Sequence, residues 1–294
     1  MSNDTRELTI EDYEQVRILS ETVWNGSDYI TGTFPTWINN PLTRTIGIFE
    51  ADELVAIGNF EKIADTDIGW VQGLRVKDGH RKKGYGFTIT RALIDIARNF
   101  GTQHLWYVTS SRNEASMKVA EKCGFRVADS TGYFRLYKPY PIHPKPSENI
   151  VPLKTNPDRL FELLTLRPEL IESMTFPLAW HFDFKNREGM KRLLKDADVW
   201  CVVDETGYVQ AVYCHALRDR EKERTATFTV FSTDRSVFID VMSRMIDHAE
   251  SLDADRAVFF LGPRATEWSL GLGYVSDEYA DRRELLFELN PAQK

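Results

Sequence analysis

The sequence predicts an α/β protein made of two copies of one structural unit. Three observations support this fold class: the length of the chain, a repeated order of strand and helix patterns, and a proline-rich segment between the halves. The chain has 294 residues, enough for two domains of ordinary size. It is 42% hydrophobic and 28% charged, close to the average of globular proteins, so each half can bury its own core.

Each half shows the same order of a hairpin, a strand, a helix, a strand, a helix and a strand. In the first half the hairpin, the strands and the first helix fall at residues 45–58, 69–76, 89–100, 105–108 and 133–137. In the second half they fall at residues 199–213, 225–231, 238–252, 258–261 and 284–289. This shared order indicates two copies of one α/β unit. The alternative is a chance similarity between two generic α/β halves.

The boundary between the halves is marked by proline. Four of the twelve prolines fall within residues 139–146. Proline fixes φ and cannot donate a backbone hydrogen bond, so this segment is expected to be an extended, semi-rigid linker. We therefore predict a first domain over residues 1–138, a linker over 139–147 and a second domain over 148–294.

Charge and composition limit the partners of the chain. Its formal net charge of -7 argues against broad nucleic-acid binding, which draws most of its affinity from cationic contacts to phosphate. No stretch approaches the roughly 20 apolar residues that span a bilayer, and we expect no signal peptide in the polar N-terminus. Three scattered cysteines fit reduced thiols and a cytoplasmic location, and the six histidines show no metal-binding spacing. We expect no nucleic-acid partner, no membrane partner and no metal.

The most informative segment, residues 73–87, leaves a predicted strand and enters a predicted helix. The first N–H groups of a helix lack internal acceptors and carry the positive end of its dipole, so such a junction suits anions. Gly84 and Gly86 allow a positive φ and let the backbone approach a phosphate closely. Five cations lie here within nine residues, against the single acid Asp78. The five are Arg75, Lys77, Arg81, Lys82 and Lys83. The segment predicts an anion site, and the alternative is a glycine turn beside a solvated basic face.

Further motifs accompany this loop. Arg81-x-x-Gly84-x-Gly86 follows a Leu-x-Val strand, Asn113 comes about 27 residues later, and Glu121-Lys122-Cys123-Gly124-Phe125 follows. Together these motifs resemble the GCN5-related N-acetyltransferase (GNAT) superfamily over most of residues 6–138. Residues 26–29, Trp37 and residues 73–76 are also similar to its histidine N-acetyltransferase-like branch. The resemblance implies that each unit is a mixed, mostly antiparallel central sheet flanked by helices, and that acetyl-CoA is the co-substrate.

The resemblance also implies roles around acetyl-CoA. Residues 81–88 are implied to hold the pyrophosphate through backbone N–H groups. Leu74 and Val76 are implied to pair by backbone with the pantetheine arm, and the N–H near Val76 to polarise the thioester carbonyl. Asn113 and Ser116 are implied to contact the pantetheine or the thiol. The implied cofactor-binding residues are Leu74, Arg75, Val76, Arg81, Lys82, Lys83, Gly84, Tyr85, Gly86, Phe87, Thr88, Asn113 and Ser116.

Acetyl transfer to an amine needs a base, since a free aliphatic amine is mostly protonated at neutral pH. Many members of the superfamily supply a carboxylate from the central strands, but the matching position here is Gln72, which cannot accept a proton. Glu61 and Asp67 are the acids nearby, and either could act through a water molecule. The alternative for both is a solvated charge at a strand end. The candidate catalytic positions are therefore Glu61, Asp67, Gln72 and Val76.

The usual proton donor to the leaving thiolate is missing. Members of the superfamily often carry a tyrosine just before the Glu-Lys-x-Gly-Phe segment, where this chain has Ala120. Tyr85, Tyr107 and Tyr133 are the other candidates, and the first two are expected to be packing residues. The thiolate is then expected to leave unprotonated or to take a proton from solvent. Cys123, at a helix end, is not expected to act as a nucleophile.

Aromatic side chains surround Asp28 in the segment that lies over the acceptor site in the superfamily. Tyr29 and Trp37, with Trp24 and Phe34 nearby, suit an amine cation or an imidazole. The alternative is that these rings pack a helix pair on the sheet. We predict an N-acetyltransferase that acts on a primary amine, a small molecule such as an amino acid. The alternatives are a protein N-terminal or lysine acetyltransferase and a non-catalytic acyl-CoA sensor.

The second half lacks the features of this loop. No glycine occurs between Phe228 and His248, and residues 232–234 are expected to cap the following helix instead. The second half also lacks the asparagine-bearing loop. We therefore predict a degenerate GNAT-like second domain that does not bind the cofactor and that walls the acceptor cleft.

Overall fold

The computed structural model describes residues 4–21, 23, 28–220 and 223–292, so that Trp24, Gly26 and Ser27 lie outside the described residues. The strands, numbered along the chain, are β1 Asp4–Glu7, β2 Thr43–Glu50, β3 Glu53–Lys62, β4 Ile68–Val76, β5 His104–Ser110, β6 Arg126–Tyr137, β7 Leu153–Thr155, β8 Thr175–Leu178, β9 His181–Phe184, β10 Asp198–Val203, β11 Val209–Arg220, β12 Glu223–Ser232, β13 Arg256–Leu261 and β14 Arg283–Leu289. The helices are α1 Tyr13–Glu21, α2 Ile30–Asn39, α3 Tyr85–Asn99, α4 Glu114–Lys122, α5 Pro157–Leu166, α6 Arg187–Leu194, α7 Arg235–Ser251 and α8 Pro263–Ser269. Within the described ranges, none of these helices is long and apolar enough to cross a membrane.

The chain forms two compact units whose boundaries differ from the predicted ones. The first unit contains Met1–Thr109, Asn113–Ala128 and Leu286–Lys294, and the second contains Ser110–Arg112 and Asp129–Leu285. Most of β6 therefore belongs to the second unit, although the prediction placed residues up to 138 in the first. The final part of β14 belongs to the first unit, although the prediction placed residues 148–294 in the second. The residue pattern indicates that a segment is a strand. Which sheet this strand joins depends on pairing with distant residues, which the pattern does not encode.

The sheet of the first unit has the order β1, β2, β3, β4, β5 and β14. Strands β1 to β4 pair antiparallel, while β4 and β5 run parallel. Neighbouring residues of β3 point to opposite faces: Ile57 lies in the core under α1 and α2, and Gly58 lies against Ile89 and Leu93 of α3. The predicted mixed, mostly antiparallel sheet flanked by helices is confirmed for this unit.

The last strand is an integral part of the first unit. The ring of Phe287 lies 6.4 Å from that of Tyr107 on β5. On the same pair of strands, Oε1 of Glu288 lies 2.5 Å from Nδ1 of His104. Beyond the strand, Nε of Arg98 donates a hydrogen bond of 2.9 Å to the backbone oxygen of Pro291. The end of the chain thus contacts both β5 and α3 of the first unit.

The sheet of the second unit has the order β6, β13, β12, β11, β10 and β7. Only β12 and β13 run parallel among these neighbours, and the other pairs are antiparallel. Helix α7 packs on one face, over a stack in which Phe259 lies 4.6 Å from Phe134 and 5.3 Å from Phe228. The order of elements from β10 to α8 repeats that from β2 to α4 in the first unit, as the sequence predicts.

Candidate functional site

The sheet of the first unit opens between its two parallel strands. Strands β4 and β5 are in register over Ile68, Gly69 and Trp70, which face residues 104–106 of β5. After Trp70, the strand β4 continues its pairing with β3 alone. Backbone groups of a strand need partners, so the edge of β4 that faces this opening suits an extended ligand with amide groups of its own.

A bulge shapes β4 at the opening. The register between β3 and β4 shifts between the pairs Ile57 with Arg75 and Asn59 with Gln72, so that two residues of β4 stand opposite one residue of β3. Gly73 lies in this bulge at a φ of +66°, and a Cβ there would come within 2.6 Å of the Trp37 ring. The bulge therefore needs glycine both for its backbone angle and for the close approach of Trp37.

The helix that follows the opening begins without a side-chain cap. Helix α3 starts at Tyr85, and its N-cap is Gly84 at a φ of +92°, which provides no capping side chain. Lys82 also has a positive φ, of +66°. The N–H groups of the first turn thus keep the positive end of the helix dipole available to an anion. Residues 81–84 form the loop before this helix, while Tyr85 and Gly86 already belong to its first turn.

The second glycine of the motif has another role than expected. Gly86 lies inside α3, and its φ is not positive, so that only Gly84 uses the conformational freedom of glycine. A Cβ at position 86 would lie 3.5 Å from Val119, 3.8 Å from Leu74 and 4.0 Å from Val76. Gly86 is therefore a small residue where β4, α3 and α4 meet. The same distances place the side chains of Leu74 and Val76 on the α3 face of β4.

The basic side chains of the loop pair with acids that are distant in the sequence, in addition to the nearby Asp78. Lys77 forms an ion pair with Glu53, and Nζ of Lys83 lies 3.4 Å from Glu50; the two acids flank the turn between β2 and β3. Arg81 pairs with Asp78 at 2.9 Å. Each pair has at least one well-exposed member and is therefore weak, so that a phosphate can replace the carboxylates.

Arg75 and Asp28, predicted for the cofactor and the acceptor, form a buried ion pair with each other. Nη2 of Arg75 donates to Oδ1 of Asp28 at 2.9 Å, and Nε donates to Oδ2 at 3.0 Å. The Asp28 side chain is fully buried and that of Arg75 is 14% exposed. Arg75 is therefore not a free cation for the cofactor phosphates, and Asp28 is not a free carboxylate for an acceptor amine. The pair joins the start of α2 to the bulged part of β4.

The predicted acceptor aromatics pack around this ion pair. The guanidinium of Arg75 lies 5.4 Å from the centre of the Tyr29 ring, and Tyr29 meets Trp37 edge to face at 6.3 Å. Trp37 is 5% exposed and belongs to the core under α1 and α2. Burial raises the pKa of Tyr29. For Trp37 the structure supports the alternative of a packing residue, while Tyr29 is only partly buried and remains at the surface of the site.

The structure distinguishes the two candidate bases. Nε2 of Gln72 donates a hydrogen bond of 2.7 Å to Oε2 of Glu61, and burial raises the pKa of Glu61. Glu61 stands opposite Trp70, the last β4 residue that pairs with β5. Asp67 precedes the paired end of β4, about 16 Å along the strand from Gln72 at 3.3 Å per residue. Glu61 is therefore the better placed acid, and Asp67 lies away from the opening.

Tyr107 is buried, as expected for a packing residue, and its hydroxyl group has a hydrogen-bond partner. It follows Trp106 on β5, where β4 and β5 separate, and its hydroxyl forms a hydrogen bond with Oγ of Ser116 on α4. Burial raises the pKa of Tyr107. Asn113 is the N-cap of α4 and accepts from the Ser116 N–H at 3.3 Å. Ala120 lies one turn after Ser116 on the same buried face of α4, so this face carries the serine hydroxyl and no tyrosine.

The remaining tyrosines have other environments. Tyr85 is 6% exposed at the start of α3, as expected for a packing residue. Tyr133 belongs to the second unit, where Nε of Arg135 donates to its hydroxyl. Burial raises the pKa of the Cys123 thiol to about 11, which opposes a role as thiolate nucleophile. Within the described residues there is no group of three or more His, Cys, Asp or Glu side chains arranged to hold a metal ion.

The fold and the open strand pair beside an uncapped helix define a GNAT-type unit. Residues 4–125 match the model of the acetyltransferase (GNAT) family, so this segment is similar to that family. An Arabidopsis thaliana protein named "Probable N-acetyltransferase HLS1-like" is 33% identical over 61 residues. That match covers 20% of this chain and only 15% of the length of the plant protein.

Two solved structures are similar over the whole chain. A tandem GNAT protein from the clavulanic acid biosynthesis pathway is 12% identical, with a TM-score of 0.63 and full coverage of both chains. A GCN5-related N-acetyltransferase from Sphaerobacter thermophilus is 10% identical, with a TM-score of 0.64 and coverage of 98% of this chain and 96% of that one. At these identities the likeness concerns the fold, which is that of a tandem GNAT protein.

Proposed function

We propose that the chain transfers an acetyl group from acetyl-CoA to the primary amine of a small molecule such as an amino acid. The opening between β4 and β5, which leads to the uncapped start of α3, is the observation that carries this proposal. It offers unpaired strand backbone for a pantetheine arm and helix N–H groups for a pyrophosphate. Both are features of the first unit.

The residues of the first unit fit acetyl-CoA. Gly84 leaves the first turn of α3 uncapped, and open space surrounds the position of its absent Cβ, so that a phosphate can approach. The backbone of Leu74 and Val76 would pair with the pantetheine amides along the open edge of β4. Asn113 and Ser116 would lie at the start of α4 near the thiol end. Arg75 is not among the residues that bind the cofactor directly, since it is bonded to Asp28.

Acetyl-CoA supplies an activated acyl carbon, and the chain must supply a base and an oxyanion partner. Glu61 accepts a proton from the acceptor ammonium through water, because burial raises its pKa toward the working pH. Gln72 holds the Glu61 carboxylate in place through their 2.7 Å hydrogen bond. The N–H near Val76 would stabilise the charge on the thioester oxygen during direct attack by the amine, and the CoA thiolate would leave and take a proton from solvent.

A non-catalytic acyl-CoA sensor is the second candidate function. The buried methyl group of Ala120, at the position where the family often has a tyrosine, favours this alternative. A sensor would bind acetyl-CoA as tightly as an enzyme but would release no CoA.

Thiol release distinguishes the two functions. The full chain is incubated with acetyl-CoA and, one at a time, with free amino acids, polyamines and short peptides, and free CoA is measured. We expect release that depends on a free amino acid and exceeds hydrolysis without an amine. Acetyl-CoA binding by calorimetry without amine-dependent release would instead support the sensor, and a peptide preference would support protein acetylation.

A further inference from the structure

A cluster of aromatic and charged side chains in the second unit is not used by the proposed function. At its centre is Tyr133 of β6, whose ring lies 5.4 Å from Phe260 and 6.2 Å from Tyr279. Trp180 adds a third neighbouring ring, 6.5 Å from Tyr133. The next residue of β6, Phe134, packs under α7, so that Tyr133 points to the opposite face of the sheet. This aromatic cluster forms a wall on that face.

Charged side chains of both signs lie at this wall: Glu284 and the arginines Arg135, Arg218 and Arg282. The guanidinium carbon of Arg282 is 4.4 Å from the centre of the Tyr133 ring and 5.6 Å from that of Tyr279. The Glu284 side chain is 5% exposed, and its ion-pair partner, Nη2 of Arg282, is 3.8 Å away. In the described part of the chain no group donates a hydrogen bond to this carboxylate, and burial raises the pKa of Glu284 to about 7.

Further polar groups of the cluster also lack partners. Nε of Arg282 and the hydroxyls of Thr131 and Thr229 are buried and make no hydrogen bond within the described residues. Thr229 is in register with Phe260, and Thr131 lies two residues before Tyr133 on the same face. Buried polar groups in folded proteins are nearly always hydrogen-bonded. Unmet donors and acceptors beside aromatic rings are a feature of ligand sites.

We propose that the second unit binds a small zwitterion of the α-amino-acid class at Tyr133, Arg282 and Glu284. The ligand carboxylate pairs with Arg282, the ligand ammonium pairs with Glu284, and the ligand side chain packs on the aromatic wall. In an α-amino acid the ammonium and carboxylate groups are bonded to the same carbon. This short spacing suits the charged groups of Arg282 and Glu284, which lie 3.8 Å apart. An anion alone would leave Glu284 without a donor, and a cation alone would leave Nε of Arg282 without an acceptor.

Calorimetry on the full chain in the absence of acetyl-CoA tests this site separately from acetyl transfer. The probes are the proteinogenic L-amino acids, each titrated alone, followed by the N-acetyl form and the methyl ester of the tightest binder. We expect the free amino acid to bind about 10-fold or more tightly than either blocked form, since each lacks one charge, and tenfold corresponds to about 1.4 kcal/mol. The absence of binding by any free amino acid would overturn the proposal.

Two variants test which residue binds the ammonium group of the ligand and which binds its carboxylate. Glu284→Gln should lose the preference for the free amino acid over its N-acetyl form and keep the preference over the methyl ester. Arg282→Gln should show the opposite pattern. Glu223→Gln is the matched control, because Glu223 pairs with Arg256 at 2.8 Å in the same unit and should keep both preferences. Glu284→Gln retains the size of the side chain and removes a buried charge, so it keeps the test valid if the arginine variant does not fold. Unchanged selectivity in a folded Glu284→Gln variant would refute the site.

Discussion

The two units build the same junction, a parallel strand pair that leads into a long helix, and they complete it differently. In the first unit β4 and β5 pair at three positions and then separate, while in the second β12 and β13 stay paired at six, from Thr225 to Val230. The helix after β4 starts at Gly84 without a side-chain cap. The helix after β12 has Asp234 as its N-cap, which accepts from two backbone N–H groups, those of Ser236 and Val237.

The difference shows what separates a ligand site from a structural copy of it. The Asp234 carboxylate occupies the N–H groups that a phosphate would need and also repels phosphate by its charge. The continuous pairing of β12 with β13, extended by the bond from the Gly262 N–H to the Val230 carbonyl, leaves no strand edge for an extended arm. This agrees with the sequence prediction that residues 232–234 cap the helix after β12 and that no glycine lies at its start.

Of the changes that test this comparison, deletion of the last strand should have the largest effect on acetyl-CoA binding. A chain that ends at Leu285 keeps the residues of the second unit and loses Leu286–Lys294 from the first. We expect loss of acetyl-CoA binding by calorimetry, because β5 and α3 lose their contacts to Phe287, Glu288 and Pro291. A cooperative thermal transition from the second unit should remain. Full acetyl-CoA affinity in the shortened chain would show that the first unit does not need this strand.

The second-largest effect is expected on kcat, after substitution of the candidate base Glu61. Glu61→Gln should reduce kcat about 10²- to 10⁴-fold, the range typical of general bases, with acetyl-CoA affinity unchanged. The base acts in its ionised form and its pKa is raised, so kcat/KM of the parent chain should rise with pH through a value above the ordinary carboxyl range. The variant should lack this limb of the pH profile. Asp67→Asn is the control and should keep both the rate and the limb.

The buried ion pair should matter more for stability than for acceptor binding. Asp28→Asn leaves the Arg75 charge buried without its partner, which typically costs about 3 to 5 kcal/mol. We expect this loss in the free energy of unfolding measured with urea. Asp78→Asn, at an exposed pair with Arg81, should leave it unchanged. If Asp28→Asn raised only the KM of the acceptor, Asp28 would be the acceptor contact that the sequence predicts.

The helix start of the first unit is tested by its glycine. Gly84→Val should weaken acetyl-CoA binding about 100-fold, or about 2.7 kcal/mol, because valine resists a positive φ and fills the space a phosphate needs. Gly101→Val is the matched control. Gly101 follows the other end of α3 at a φ of +66°, also with nothing within 4 Å of its absent Cβ. An equal loss in both variants would trace the effect to backbone strain and not to the cofactor site.

The smallest effect is expected at the capped helix of the second unit. Asp234→Ala removes the acceptor of two N–H groups and should lower the free energy of unfolding by about 1 kcal/mol, the usual contribution of an N-cap. Acetyl-CoA affinity should not change. Tighter binding of acetyl-CoA to this variant would mean that the cap alone closes a second cofactor site.

Local features of the site could be predicted from the sequence, while long-range partners could not. The cap at residues 232–234 and the glycine helix start at Gly84 depend on the chemistry of neighbouring residues and are confirmed. The ion pair of Arg75 with Asp28 joins residues 47 positions apart. The final part of β14 joins the first unit although it lies far from that unit along the chain. Neither follows from periodicity, since both depend on how strands and helices pack. Charged residues within largely apolar segments were the only signal for the ion pair.

The position of β14 also sets an order of events during protein synthesis. A ribosome makes the chain from its N-terminus, so the residues up to Ala128 emerge long before Leu286 to Leu289, which complete their sheet. Until then β5 lacks its neighbour and presents an open strand edge to other nascent chains. A prematurely terminated product would therefore contain every residue of the proposed cofactor site and lack the strand that completes their sheet.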